Sequence, residues 1–217
     1  MIDYELLRVI WWCLVGVLLI GFAVTDGFDL GVGALLTLIG KNDKERRVMI
    51  NTVGPHWDGN QVWFITAGGA IFAAWPMIYA TAFSGFYLAL ALTLIALWMR
   101  PIGFEYRSKL PNPQWRKAWD WALFAGGIIP ALIFGVAFGN LLLGVPFEMD
   151  STLKSTYTGS FFGLLTPFAL VAGRLSVAML LNNGATCLQM KTDCFLEVRA
   201  RPVAVVISLS GVLLSVL

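Results

Sequence analysis

GNQVWFITAGGAIFAAWPMIYATAFSGFYLALALTLIALWM, residues 59–99, contains no Asp, Glu, Lys or Arg. About 20 apolar residues cross a bilayer as a helix. The stretch is therefore long enough for two crossings, and Trp75-Pro76 is the natural place to turn. Comparable runs lie at residues 9–25, 121–147, 155–173 and 202–217. They are continuous rather than alternating, which speaks for helices and against a β-barrel. Hydrophobic residues make up 58% of the 217-residue chain and charged residues only 13%. Soluble domains carry about 25% charge. The expected fold is an all-α, polytopic bundle forming one transmembrane domain. Its six spans should lie at roughly 9–38, 55–75, 79–99, 120–143, 160–182 and 202–217.

The basic residues set the orientation. Lys41, Lys44, Arg46 and Arg47 follow the first span. Arg100, Arg107, Lys109, Arg116 and Lys117 follow the third, and Lys191, Arg199 and Arg201 the fifth. The other side has only Arg8 and Lys154, and Arg174 falls inside a span. This asymmetry puts the N-terminus outside and the three basic loops in the cytoplasm, and topology alone accounts for those loops. The first apolar run lacks the basic flank and cleavage site of a signal peptide, so it is expected to be retained. The last run is short for a crossing and ends without a polar flank, which reads as the N-terminal part of a longer subunit. Cys13 and Cys187 read as small membrane residues and Cys194 as a loop thiol, with neither a disulfide framework nor a zinc site. No phosphate loop or nucleic-acid patch is present.

The polar groups gather at one depth. Asp26 and Asp29, three residues apart on one helical face, lie towards the inner end of the first span. His56, Asp58, Asn60 and Gln61 open the second span from the same side, and Glu105 and Asp120 flank the next inner loop. For His56 and Asp58 a helix-start role competes: Pro55 suits a first helical position, and a carboxylate in the first turn is favoured by the helix dipole. Asp26 and Asp29 fit that reading less well, because a carboxylate inside a span costs a few kcal/mol. Together Asp26, Asp29, His56 and Asp58 look like a hydrated proton path open to the cytoplasm, with Asn60, Gln61, Trp57 and Trp63 as cavity-lining candidates. Gly135, Gly139, Gly68 and Gly69 are read as close-packing positions, and Pro130 as a kink. His56 is the single histidine, so bis-histidine haem ligation is excluded, and pairing it with Met49 has no positional support. No catalytic group and no metal ligand set is assigned to the chain.

The motifs DYELLRVIWW, TDGFDLGVG, PHWDGNQVWFITAGGAIFAAWP, FSGFYLAL, RPIGFEYRSK and GVAFGNLLLGVPF occur in this order. From the first residue to about residue 195 the chain resembles subunit II of bd-type cytochrome quinol oxidases. The resemblance implies a complex in the bacterial inner (cell) membrane that oxidises ubiquinol or menaquinol and reduces oxygen to water with cytoplasmic protons. Haem b and haem d would sit on the partner, subunit I. Subunit II would pack against subunit I in a heterodimer within the lipid bilayer, with room for a small accessory subunit. It implies polar routes from the inner face at Asp58, Asp26 and Asp29, and oxygen access near Trp63. Members of the family continue well beyond 217 residues, and Arg174 stands where they carry an apolar residue. Two other readings remain open: a secondary transporter or channel whose inner-half carboxylates bind a coupling ion, and a scaffold that stabilises the haem subunit and conducts nothing.

Overall fold

The computed structural model describes residues 3–151, 155–193 and 195–216; Lys154 and Cys194 lie outside them. Among these residues the chain forms eight α-helices: α1 (Tyr4–Ile39), α2 (Asp43–Val53), α3 (Trp57–Ala74), α4 (Pro76–Gly85), α5 (Tyr87–Tyr106), α6 (Pro113–Leu143), α7 (Pro167–Lys191) and α8 (Phe195–Val216). A short antiparallel hairpin, β1 (Phe147–Met149) and β2 (Ser155–Tyr157), and one 3-10 turn (Phe162–Leu164) separate α6 from α7. Helices α1, α5, α6, α7 and α8 are long and apolar enough to cross a membrane. The protein is a multi-pass, all-α membrane protein.

The long helices run up and down between two ends. Helix α1 packs against α3, α6 and α7; α5 against α6; and α7 against α6 and α8. Apolar side chains gain little from leaving lipid for one another, so small residues let such helices close up. A Cβ on Gly184 of α7 would come within 2.6 Å of the Gly31 Cα of α1, and one on Gly135 of α6 within 2.6 Å of the Ala172 carbonyl of α7. Gly139 meets Ala169 in the same way. Gly68 and Gly69 do not follow this pattern: each faces open space. Helix α3 buries only Ala67, so most of its surface looks outward. Helix α6 continues through Pro130 to Leu143.

The expected spans need four corrections. The expected crossing at 79–99 is two helices. Helix α4 ends at Gly85, Phe86 leaves helical geometry (φ −96°, ψ 19°), and α5 continues past Met99 to Tyr106. Helix α4 instead joins the hairpin at one end of the bundle, where Thr81 and Ser155 share a hydroxyl hydrogen bond and Gly85 lies against Tyr157. The span expected at 160–182 starts at Pro167, after Thr166 caps the helix by accepting from the Ala169 amide (3.2 Å), and runs to Lys191. The last helix begins at Phe195, seven residues before the expected start. Helix α3, with a polar first turn, is not apolar enough to count as a crossing by composition, although it runs antiparallel to α1 and brings Trp75 to Trp12 (ring centroids 4.7 Å apart).

At the other end the three basic loops converge, and topology is not their whole explanation. Asn42 and Glu45 form a reciprocal cap at the start of α2: the Asn42 side chain accepts from the Glu45 amide (2.9 Å), and the Glu45 carboxylate accepts from the Lys41 amide (2.8 Å). Helix α2 then lies under the bundle with Met49, Ile50 and Val53 in the core. Ion pairs fasten it there. Asp120 binds Arg107 (2.5 Å) and Arg46 (2.7 Å), Asp43 binds Arg107 (2.8 Å) and Arg116 (2.7 Å), and Glu45 binds Arg199 of α8 (2.7 Å). Arg107 is thus a buried strut rather than a loop cation.

The Arg199 hydrogen bond, followed by that of the Lys41 amide, holds the Glu45 carboxyl down to about 2 from its ordinary 4.5. A lowered carboxylate stabilises the fold above its unfolded pKa, and that contribution is lost on acidification. The Glu45–Arg199 clamp is therefore fully present above pH 4.5 and fades as the pH falls towards 2. Melting curves across this window should show a shallower acid-side decline in Glu45→Gln than in the unmodified protein.

Candidate functional site

Asp26 and Asp29 belong to the TDGFDLGVG stretch of α1, where two kinds of residue serve two neighbours. Gly27 and Gly31 face α7 so closely that Gly31 meets the Leu180 carbonyl and Gly184. The carboxylates turn instead to α5 and α3. Both are fully buried. Arg100 of α5, 1% exposed, donates through Nη1 to Asp26 Oδ2 (2.9 Å) and through Nη2 to Asp26 Oδ1 (2.5 Å). This two-pronged geometry suits a planar guanidinium. The same Nη2 lies 3.9 Å from Asp29 Oδ2, and that oxygen accepts a hydrogen bond from Asn60 Nδ2 of α3 (2.9 Å). Asp29 Oδ1 and Arg100 Nε have no hydrogen-bond partner among the described residues. The result is one guanidinium, two carboxylates and one amide inside the bundle. With both carboxylates ionised its net charge is minus one.

The four expected proton carriers do not form one group. Asp26 and Asp29 share Arg100, whereas His56 and Asp58 are exposed at the start of α3. Residues two apart on a helix point to nearly opposite sides, so Asn60 faces the buried aspartates while Asp58 faces outward. Neither His56 nor Asp58 has a hydrogen bond or ion pair from its side chain among the described residues. Asn60 is the link between the two positions. Gln61 is half-buried. Trp63 is 37% exposed, and its ring lies against Gly21 of α1, where a Cβ would come within 2.6 Å. Trp57 packs near Phe104 (centroids 6.1 Å apart). Glu105 is exposed, and Asp120 belongs to the ion pairs at the basic end. Arg174 is exposed on α7, without a carboxylate partner among the described residues.

The sequence model of the cytochrome bd terminal oxidase subunit II family matches residues 7–217. The chain belongs to the cytochrome bd oxidase subunit II family. It is 67% identical over 204 residues to the probable cytochrome oxidase subunit 2 of Haemophilus influenzae, covering 94% of this chain and 54% of that protein. It is 63% identical over 209 residues to the cytochrome bd-I ubiquinol oxidase subunit 2 of Escherichia coli K12, covering 96% and 55%. With the cytochrome bd ubiquinol oxidase subunit 2 of Bacillus subtilis it shares 38% identity over 195 residues, covering 90% and 56%. The chain spans about half the length of the curated relatives it matches.

Arg100 is what the reading of this bd-family sequence missed. The charge following Met99 looked like the end of a span. A signal was nevertheless there: two carboxylates inside a span call for a cation at the same depth. Thr93, Ala96, Arg100, Gly103 and Arg107 also recur at three- and four-residue spacing, and all five are buried.

Removing one member of a buried ion pair strands the other's charge and costs about 3–5 kcal/mol. Arg100→Met should therefore destabilise the purified protein by that order in denaturant unfolding. Asp26→Asn added to Arg100→Met should recover a substantial part of the loss. Simple additivity of the two single substitutions would contradict the pairing.

Proposed function

We propose that this chain is the haem-free subunit of a bd-type quinol oxidase and that it helps deliver protons for the reduction of oxygen to water. The observation that carries the proposal is the 63% identity, over 96% of the chain, with a protein named as a ubiquinol oxidase subunit. The quinol is ubiquinol or menaquinol, and the haems b and d sit on a partner subunit I. This chain's own residues do not fit haem ligation. His56 stands exposed ahead of α3, while Met49 is fully buried in the core and set against Gly40. Among the described residues no three His, Cys, Asp or Glu side chains form a metal-binding group.

The bundle lies with its N-terminus outside and its basic end in the cytoplasm, a reading supported by the excess of Lys and Arg at that end. Oxygen reduction consumes protons, and in this orientation they enter at the basic end. Arg100 supplies the cation of the cluster. Asp26 is engaged by it through both oxygens and acts as a positioning residue. Asp29 keeps one oxygen free of hydrogen bonds and is the carboxyl of the cluster that exchanges a proton. Asn60 fixes the Asp29 side chain from α3; Asp58 stands on the outward side of the same helix, and His56 is exposed just ahead of it. An ionisable group facing lipid is costly. The outward face of α3 therefore suits cover by the partner subunit, with Asp58 as the group that hands protons across.

The test uses the whole complex, isolated through an N-terminal tag on this chain. A reduced-minus-oxidised optical spectrum with a long-wavelength haem d band is expected. Positioned proton transfer contributes about 10²–10⁴-fold to rates. Asp58→Asn and Asp29→Asn should thus lower quinol oxidase turnover at least about tenfold while haem content per complex changes little. Equal losses of turnover and haem would support the scaffold reading, and absence of haem would overturn the oxidase reading.

A further inference from the structure

The basic end contains a cavity of about 440 Å³ where the loop after α1, the start of α2 and the start of α6 meet. Lys41, Arg46, Arg107, Arg116 and Lys117 line it, against two carboxylates, Asp43 and Asp120. The three arginines share these carboxylates: Asp120 takes Arg46 and Arg107, and Asp43 takes Arg107 and Arg116. The Lys41 and Lys117 ammonium groups have no carboxylate partner among the described residues. Five cations against two anions leave an excess of three positive charges around one cavity. Arg107 is 1% exposed and its Nη1 has no hydrogen-bond partner among the described residues, and neither has Arg116 Nε. The shared carboxylates hold the three guanidinium groups around the cavity, and the excess of positive charge there is left for an anion.

We infer that this cavity binds the phosphate group of an anionic phospholipid. A rigid guanidinium cluster matches phosphate oxygens, and the N-terminus of α6, beginning at Pro113 beside the cavity, adds its positive dipole end. What points to a lipid is the wall. Trp121, 54% exposed on α6, lines the same cavity. A tryptophan there is placed as at a membrane–water interface, where the ring meets acyl chains and headgroup together. Basic pockets between membrane helices on the cytoplasmic side take such headgroups. The inference is independent of the oxidase reading, because it concerns only this chain's charge and its place in the bilayer. Free phosphate shares the chemistry of the headgroup but has no use for the indole.

The experiment compares the detergent-purified complex with the same complex carrying Lys41→Gln and Lys117→Gln, which leave all the ion pairs described above in place. Lys109→Gln, outside the cavity, is the control. Thermal midpoints are read with added phosphatidylglycerol, phosphatidylcholine or inorganic phosphate, and retained lipids are counted by native mass spectrometry. Phosphatidylglycerol should raise the midpoint by several degrees and stay bound, whereas phosphatidylcholine should not. The double variant should lose most of that rise and the control should keep it. An equal rise with inorganic phosphate alone, lost in the double variant, would keep the phosphate site but assign it a soluble ligand. Equal effects of the two lipids, or an equal rise in the double variant, would overturn the inference.

Discussion

Arg100 carries a full positive charge into a helix bundle built for lipid, and the inner arrangement of the protein follows from how that charge is balanced. A guanidinium at 1% exposure is tolerable only with counter-charges at the same depth. Asp26 supplies one through two hydrogen bonds. Asp29, 3.9 Å from the same nitrogen, supplies a second that charge balance does not require. To place both acids against α5, α1 must sit deep in the bundle. It can do so because Gly27 and Gly31 on its other side admit α7 at near backbone contact. The short TDGFDLGVG stretch therefore joins close packing and charge within about two and a half turns of helix. Helix α3 closes the cluster with Asn60 and leaves most of its own surface outward.

A second set of charges does different work. The pairs among Asp43, Asp120, Glu45 and four arginines lie at the bundle end, where Arg107–Asp120 is buried and the others are partly open to water. The open pairs contribute little each, but a network that spans several helices fixes their register. They tie α2 beneath the bundle and couple it to α8. Their excess of cations lines the cavity beside Trp121. The inner cluster is thus buried, with one carboxylate more than its single cation balances, and the bundle end is cation-rich and partly open. Proton exchange suits the first environment and anion binding the second.

Much of this was legible in the residues. The charge-free run ending at Met99 announced helices in lipid, and the Lys and Arg distribution announced one basic end. Asp26 and Asp29 stood out because they interrupt an otherwise charge-free apolar run. What stayed hidden depended on tertiary partners. The helical break at Phe86 has no proline to mark it, and it is set by where α4 meets the hairpin. Arg100 and Arg107 look like loop cations until α5 is seen to run past Arg100 and to end just before Arg107, and both side chains are buried. His56 and Asp58 seemed to join the aspartates by shared depth in the membrane. Helical geometry, however, turns Asp58 away from Asn60, and only Asn60 reaches the buried cluster.

We propose that Asp29, held by Asn60 beside the Arg100–Asp26 pair, exchanges a proton during turnover. Redox-induced infrared difference spectra of the whole complex, recorded in H2O and D2O, test it most directly. The account predicts a deuterium-sensitive carboxyl C=O band that disappears in Asp29→Asn while the haem bands remain. Superimposable carboxyl regions in the two proteins would contradict it.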